Sequence, residues 1–231
     1  MDPHIYKLYK KKREYEHSRV RSERKNHTGT RYMASVEYDG SLYNGWRDIE
    51  AQLREQTDFQ VVGVSRTDKG VHANAQIISI YSPEPNHEFT GFDPGLDGVE
   101  ITDMVIVDAN HSIRHSVVSK TYVYRATTDA KSEEYNRVFI EPSGPIEGRL
   151  CAALPDVIEY YKALEPGRFL SIDLDVFDSN LNFTVHSKSF VKYEIRRIIA
   201  SIFRTAGIKL RGQLKHLFPG KGLTLENIDT E

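Results

Sequence analysis

Nine consecutive residues, Ser65-Arg66-Thr67-Asp68-Lys69-Gly70-Val71-His72-Ala73, bring a carboxylate, two cations and an imidazole together between two apolar runs. Val61, Val62 and Val64 precede them and Ile77, Ile78 and Ile80 follow, a pattern that predicts two strands joined by a turn. Asp accepts backbone hydrogen bonds and Gly tolerates positive φ, so Asp68 and Gly70 suit the turn itself. The same turn sets Asp68 at the mouth of a sheet, where its carboxylate can face a ligand. An isolated Asp-x-Gly would argue for a turn alone, and it is the whole string that argues for chemistry.

The string Arg66 to Ala73, RTDKGVHA, resembles the signature GRTDxGVHA of the TruA family of tRNA pseudouridine synthases. Further stretches resemble the same family in the same order. Tyr38, Asp39, Gly40, Tyr43, Gly45 and Trp46 match its YDGxxYxGW element, and Arg114, Ser116, Lys120, Tyr122 and Tyr124 match FHARFxAxxRxYxY, with Ser112 in place of a His. Phe190 to Arg196 matches SFxxxxVR, except that Lys192 and Tyr193 stand where the family has His with His or Gln. Pro219 to Leu225 matches the closing PxxGLxL. The resemblance spans about residue 31 to residue 228, and Lys69 with Val71-His72-Ala73 looks closer to the eukaryotic members.

The elements that must position these residues can be read from periodicity. Tyr32 onward is strand-like. Asp48 to Gln56 is expected to be a short helix with Asp48 as N-cap and Ile49 and Leu53 on one face. Ser82 to Gly98 is a loop, Thr102 to Val107 a strand, and His111 to Thr127 ends in a strand with Tyr122 and Tyr124 on one face. Ile146 to Leu164 reads as a helix interrupted at Pro155 and ended by Pro166-Gly167. Phe169 to Phe177 and Leu181 to Val185 form a hairpin turned at Asp178-Ser179-Asn180, with Asp173 and Asp175 on its wet face. Phe190 to Ala206 is expected as a helix capped by Ser189 and closed by Gly207, its apolar stripe running Val191, Ile195, Ile198, Ile199, Ile202, Phe203, Ala206.

A chain of 231 residues can bury a sizeable core, and 39% hydrophobic with 28% charged residues describes a soluble globular protein. No apolar run approaches a membrane span, and the polar start shows no secretory signal. The single Cys151 excludes an internal disulfide or a cysteine zinc site. His111 and His115 lack a third ligand and fall short of a metal site. The net charge of −2 hides an asymmetry: residues 1–31 carry ten Lys/Arg against four acids, +6, which leaves −8 for the rest. The division expected is a basic tail at 1–30, an N-terminal half at 31–130 with the Asp motif, and a C-terminal half at 131–231 with the Arg helix. The tail suits a phosphate backbone, a nuclear address or simple solvation, and any RNA surface on the acidic body must be a local patch.

The resemblance implies an α+β fold: a mixed, largely antiparallel sheet with helices on one face and a central active cleft. It implies an RNA pseudouridine synthase that needs no metal or cofactor and acts on tRNA, or in the alternative on small nuclear or ribosomal RNA. Asp68 would be the essential carboxylate, Arg196 its partner and Tyr122 the aromatic face for the uracil. Arg66 would fill the space the uridine vacates, and Lys69, His72, Arg114 and Lys120 would touch RNA. The expected setting is intracellular, in nucleus, cytoplasm or mitochondrion, as monomer or homodimer. The alternative is a TruA-like RNA-binding assembly factor without turnover inside a ribonucleoprotein. The trimmed helix after Trp46, Ser112, Lys192-Tyr193 and the acidic body point that way.

Overall fold

A computed structural model describes residues 29–57, 59–84, 93–132, 136–142, 144–165, 170–209 and 217–231. The basic tail up to residue 28, residues 85–92 of the Ser82 to Gly98 loop, and the Pro166-Gly167 stop signal lie outside the described residues. Nine strands among the described residues form one sheet. They are β1 (Thr30–Tyr38), β2 (Gln60–Gly63), β3 (His72–Ser82), β4 (Val99–Val107), β5 (Val117–Thr127), β6 (Val138–Phe139), β7 (Ser171–Phe177), β8 (Asn180–Ser187) and β9 (Leu223–Thr230). The order across the sheet is β4-β1-β3-β9-β5-β8-β7, with β2 also beside β3 and β6 beside β5. Pairing is antiparallel except for β3 with β9 and β5 with β6. The expected α+β class is the one observed.

The register carries a single buried row across six strands. Tyr38 lies opposite Ala73, Ala73 opposite Leu225, Leu225 opposite Tyr122, Tyr122 opposite Val185, and Val185 opposite Ile172. All six are buried. Partners directly opposite share a face, so this row defines the covered side of the sheet. Helix α1 (Trp46–Thr57) meets that side through Trp46, whose ring lies 5.8 Å from that of Tyr38. Helix α3 (Glu194–Thr205) meets it through Phe203, 5.8 Å from Phe183. Between them in sequence, α2 (Glu147–Leu164) buries Leu150, Ala153, Val157 and Tyr161 and joins α3 through Tyr161 and Ser201. One continuous core results.

Three helix boundaries differ from the expected ones, each for a local reason. Helix α1 starts at Trp46, and Asp48 is its third residue instead of its N-cap. The Asp48 carboxylate reaches back to the Asn44 N–H at 3.0 Å, which holds its pKa below the usual carboxylate range. Helix α2 runs through Pro155 without interruption. Pro155 and Cys151 are both on the exposed side, where water can take the carbonyl that a proline leaves unbonded. Helix α3 begins at Glu194, not near Phe190, because Tyr193 before it adopts φ 62° and ψ 8°. Ser189 therefore caps nothing. The far end closes as expected: Gly207 has φ +65°, its N–H reaches Arg204 O, and the Ile208 N–H reaches Phe203 O, a Schellman arrangement.

Candidate active site

Strand β3 changes partner along one edge. It pairs with β2 over Ile78 to Tyr81 and with β9 at His72 and Ala73, while β1 occupies its other edge. The Ser65 to Val71 segment leaves the sheet where this edge passes from one strand to the next. Its turn is made as expected: the Val71 N–H donates to the Asp68 carbonyl at 3.1 Å and Gly70 has φ +76°, a conformation glycine adopts without cost. The turn and the presented carboxylate are thus one feature.

Extended backbone sends alternate side chains to opposite sides. Ser65 and Thr67 turn inward, 4% and 9% exposed, while Arg66 and Lys69 are exposed and Asp68 is half-buried. Thr67 Oγ1 lies 2.7 Å from the Tyr38 hydroxyl, and Ser65 Oγ lies 2.8 Å from the Tyr122 hydroxyl. The backbone is clamped as well. Arg114 donates twice to Gly63 O at 3.2 and 3.0 Å, and Lys120 Nζ reaches Val64 O at 3.4 Å. Fully buried Gln76 donates to Ser65 O and accepts from Ser65 N–H, at 2.5 and 3.0 Å. The Trp46 N–H, the first of α1, donates to Thr67 O at 3.3 Å.

Asp68 and Arg196, 128 positions apart, meet here. Arg196 Nη1 is 3.9 Å from Asp68 Oδ2, and Arg196 Nε donates to Phe218 O. The Tyr193 backbone N–H also donates to the Asp68 carboxylate. Burial raises the Asp68 carboxyl above the ordinary aspartate range, and Arg196, Lys192, the Tyr193 N–H and Arg197 oppose that rise. Burial likewise lowers the Arg196 guanidinium, against the attraction of Asp68. The Tyr193 ring is surrounded by cations: Lys192 Nζ at 4.6 Å, Arg196 Cζ at 5.2 Å and Arg197 Cζ at 5.8 Å from its centroid. The result is a carboxylate at the positive end of a helix, facing a concentrated cationic patch.

Tyr122 lies below this carboxylate on β5, 5% exposed, with Phe190 packed edge-on at 5.5 Å. Burial pushes its phenol up to about 12; the Ser65 hydrogen bond pulls it down and the Asp68 charge adds to the rise. The structure thus brings Asp68, Arg196 and Tyr122 to one place, with Arg66 exposed two residues before Asp68 on the same segment. Of the other residues expected to touch RNA, Lys69 is exposed on the turn. Arg114 and Lys120 bond the backbone beneath the motif, and His72, 3% exposed, turns inward with Nδ1 3.1 Å from Asp39 Oδ1 and 3.2 Å from the Gly40 N–H. Burial lowers the His72 imidazole, chiefly opposed by Asp39. Ser65, Thr67, Tyr38, Gln76 and Tyr193 join the site without having been expected there. The odd-even alternation of 65 to 68 is the signal that points to the first two.

No family model matches the chain. Curated proteins named tRNA pseudouridine synthase A are similar to it. That of Oenococcus oeni is 26% identical, over 85% of this chain and 96% of its own length. That of Leuconostoc citreum is 27% identical, over 87% and 97%, and that of Phytoplasma mali 23% identical, over 85% and 97%. The likeness runs along nearly the whole of each of these relatives.

Proposed function

We propose that the chain isomerises uridine to pseudouridine in tRNA, with Asp68 as the essential carboxylate. The observation that carries this reading is the meeting of Asp68 with Arg196 beside Tyr122, at 3.9 Å between the charged atoms. The reaction breaks the C1′–N1 bond of a uridine, turns the uracil and rejoins it through C5. It calls for an ionised carboxylate at the sugar, a cation that keeps it ionised and an aromatic group at the base. Asp68, Arg196 and Tyr122 fill these roles, Asp68 as nucleophile or as base. The target nucleotide must leave its stack, and exposed Arg66 is the planar group that can occupy the gap.

In this reading Lys69 and the Lys192, Arg197 patch face the phosphates, and the tail up to residue 30 adds non-specific attraction. Residues 31–130 supply the carboxylate and residues 131–231 the cation, so the cleft belongs to both halves. Lys69 and Val71-His72-Ala73 favour kinship with the eukaryotic members. The setting is nucleus, cytoplasm or mitochondrion, as monomer or homodimer, and the alternatives to tRNA as substrate are small nuclear and ribosomal RNA. The second reading, an RNA-binding assembly factor without turnover, is favoured by Lys192-Tyr193 and by the inward hydroxyl of Tyr122. Tritium release from tRNA labelled with 5-³H-uridine, wild type against Asp68→Ala, separates the two. Release by wild type alone supports the synthase; no release by either, on RNA that both bind, supports the assembly factor.

A further inference from the structure

The Lys120 ammonium lies under the motif, 3.2 Å from Ser65 Oγ and 3.4 Å from Val64 O. Ser65 Oγ in turn lies 2.8 Å from the Tyr122 hydroxyl. We propose that Lys120 is a positioning residue for Tyr122, acting through the Ser65 hydroxyl, which holds the phenol in place and stabilises its ionised form.

The donor inventory fixes one end of the bridge. An ammonium has N–H donors and no lone pair, so Lys120 can only donate to Ser65 Oγ. Ser65 Oγ keeps its second lone pair and its own O–H, so it can accept from the neutral Tyr122 phenol and donate to the phenolate. Ser65 is held in place for this role, because Gln76, itself fully buried, bonds both its N–H and its carbonyl. The titratable groups facing the phenol are Asp68 on the motif turn and Tyr38 on β1, and Lys120 reaches it through Ser65. The signature GRTDxGVHA carries glycine at the place of Ser65, and a glycine has no hydroxyl with which to build such a bridge. The bridge is therefore a feature of this chain's own residues, and its function rests on the synthase reading above.

The test places 3-fluorotyrosine at position 122 of the full chain and follows its ionisation by ¹⁹F NMR, alongside tritium release. Ser65→Ala removes a single oxygen atom, Lys120→Met removes the charge, and Ser65→Thr retains the hydroxyl. Both hydrogen bond and cation favour the phenolate, so Ser65→Ala and Lys120→Met should raise the ionisation midpoint and Ser65→Thr should restore it. Turnover should fall roughly tenfold with KM for RNA unchanged, about the effect of losing one hydrogen bond. An unchanged midpoint in Ser65→Ala and Lys120→Met, with tritium release by wild type, overturns the bridge and leaves the synthase reading standing. A raised midpoint with no release by wild type supports the bridge and tells against the synthase.

Discussion

The Tyr193 backbone N–H donates to the Asp68 carboxylate from a residue held in the left-handed region, at φ 62°. A non-glycine side chain there costs roughly 1 kcal/mol, and such strain persists only where surrounding structure enforces it. Backbone and ring can be separated by substitution. Tyr193→Gly keeps the conformation and the N–H, so we expect maximal turnover to hold and melting temperature to hold or rise, while KM for RNA increases with loss of the ring between its cations. Tyr193→Val disfavours positive φ and should lower both turnover and melting temperature. Steady-state kinetics with thermal melts on the two variants check this, and equal turnover in both would show that the N–H is dispensable.

Burial holds the Asp68 carboxyl above its ordinary value, so the folded protein binds that proton more tightly than the unfolded chain. The linked stability is present below the unfolded pKa and is lost as pH rises through the folded one. At neutral pH the ionised carboxylate therefore weighs against the fold. Asp68→Asn should melt at or above the wild-type temperature at pH 7 while losing more than about a thousandfold in turnover. A melt clearly below wild type would contradict the sign.

Arg196 serves two partners, Phe218 O through Nε and Asp68 through Nη1. Removing its charge removes an attraction that favours ionised Asp68. Arg196→Gln should therefore shift the acid limb of the pH-rate profile to higher pH, and a lysine, with one nitrogen for two partners, should recover only part of the rate. An acid limb that stays in place would assign the essential ionisation to another group.

Gly220 lies against the other side of the motif turn. A Cβ built there would come within 2.3 Å of Lys69 O and 3.2 Å of the Gly70 carbonyl carbon, both backbone atoms that cannot swing aside. Gly220→Ala should cost roughly 1 to 3 kcal/mol, a drop of several degrees in melting temperature, and should reduce turnover even where the protein stays folded. Turnover equal to wild type in the folded variant would show that the turn tolerates displacement.

Short-range pattern carried much of this structure. The β7-β8 hairpin, the apolar stripe of α3 and the strands on either side of the motif all depend on near neighbours in sequence, and all were legible. What was not legible depends on distant contacts. Arg114 and Lys120 could have been surface cations, and only the approach of β5 to the end of β2 puts carbonyls within their reach. The left-handed Tyr193 carries no local signal, since asparagine or glycine would be the expected residue there. The parallel pairing of β3 with β9 joins His72 to Thr224, a register that no periodicity encodes.

That pairing also bears on how the protein comes to be made. The strand synthesised last of the nine takes a central berth, between two strands that left the ribosome long before it. Until it arrives, the facing edges of β3 and β5 have unmet backbone groups and the Asp68 turn has no Gly220 to rest on. Until then the open edges invite edge-to-edge association, and the surroundings of the Asp68 turn are completed late in folding.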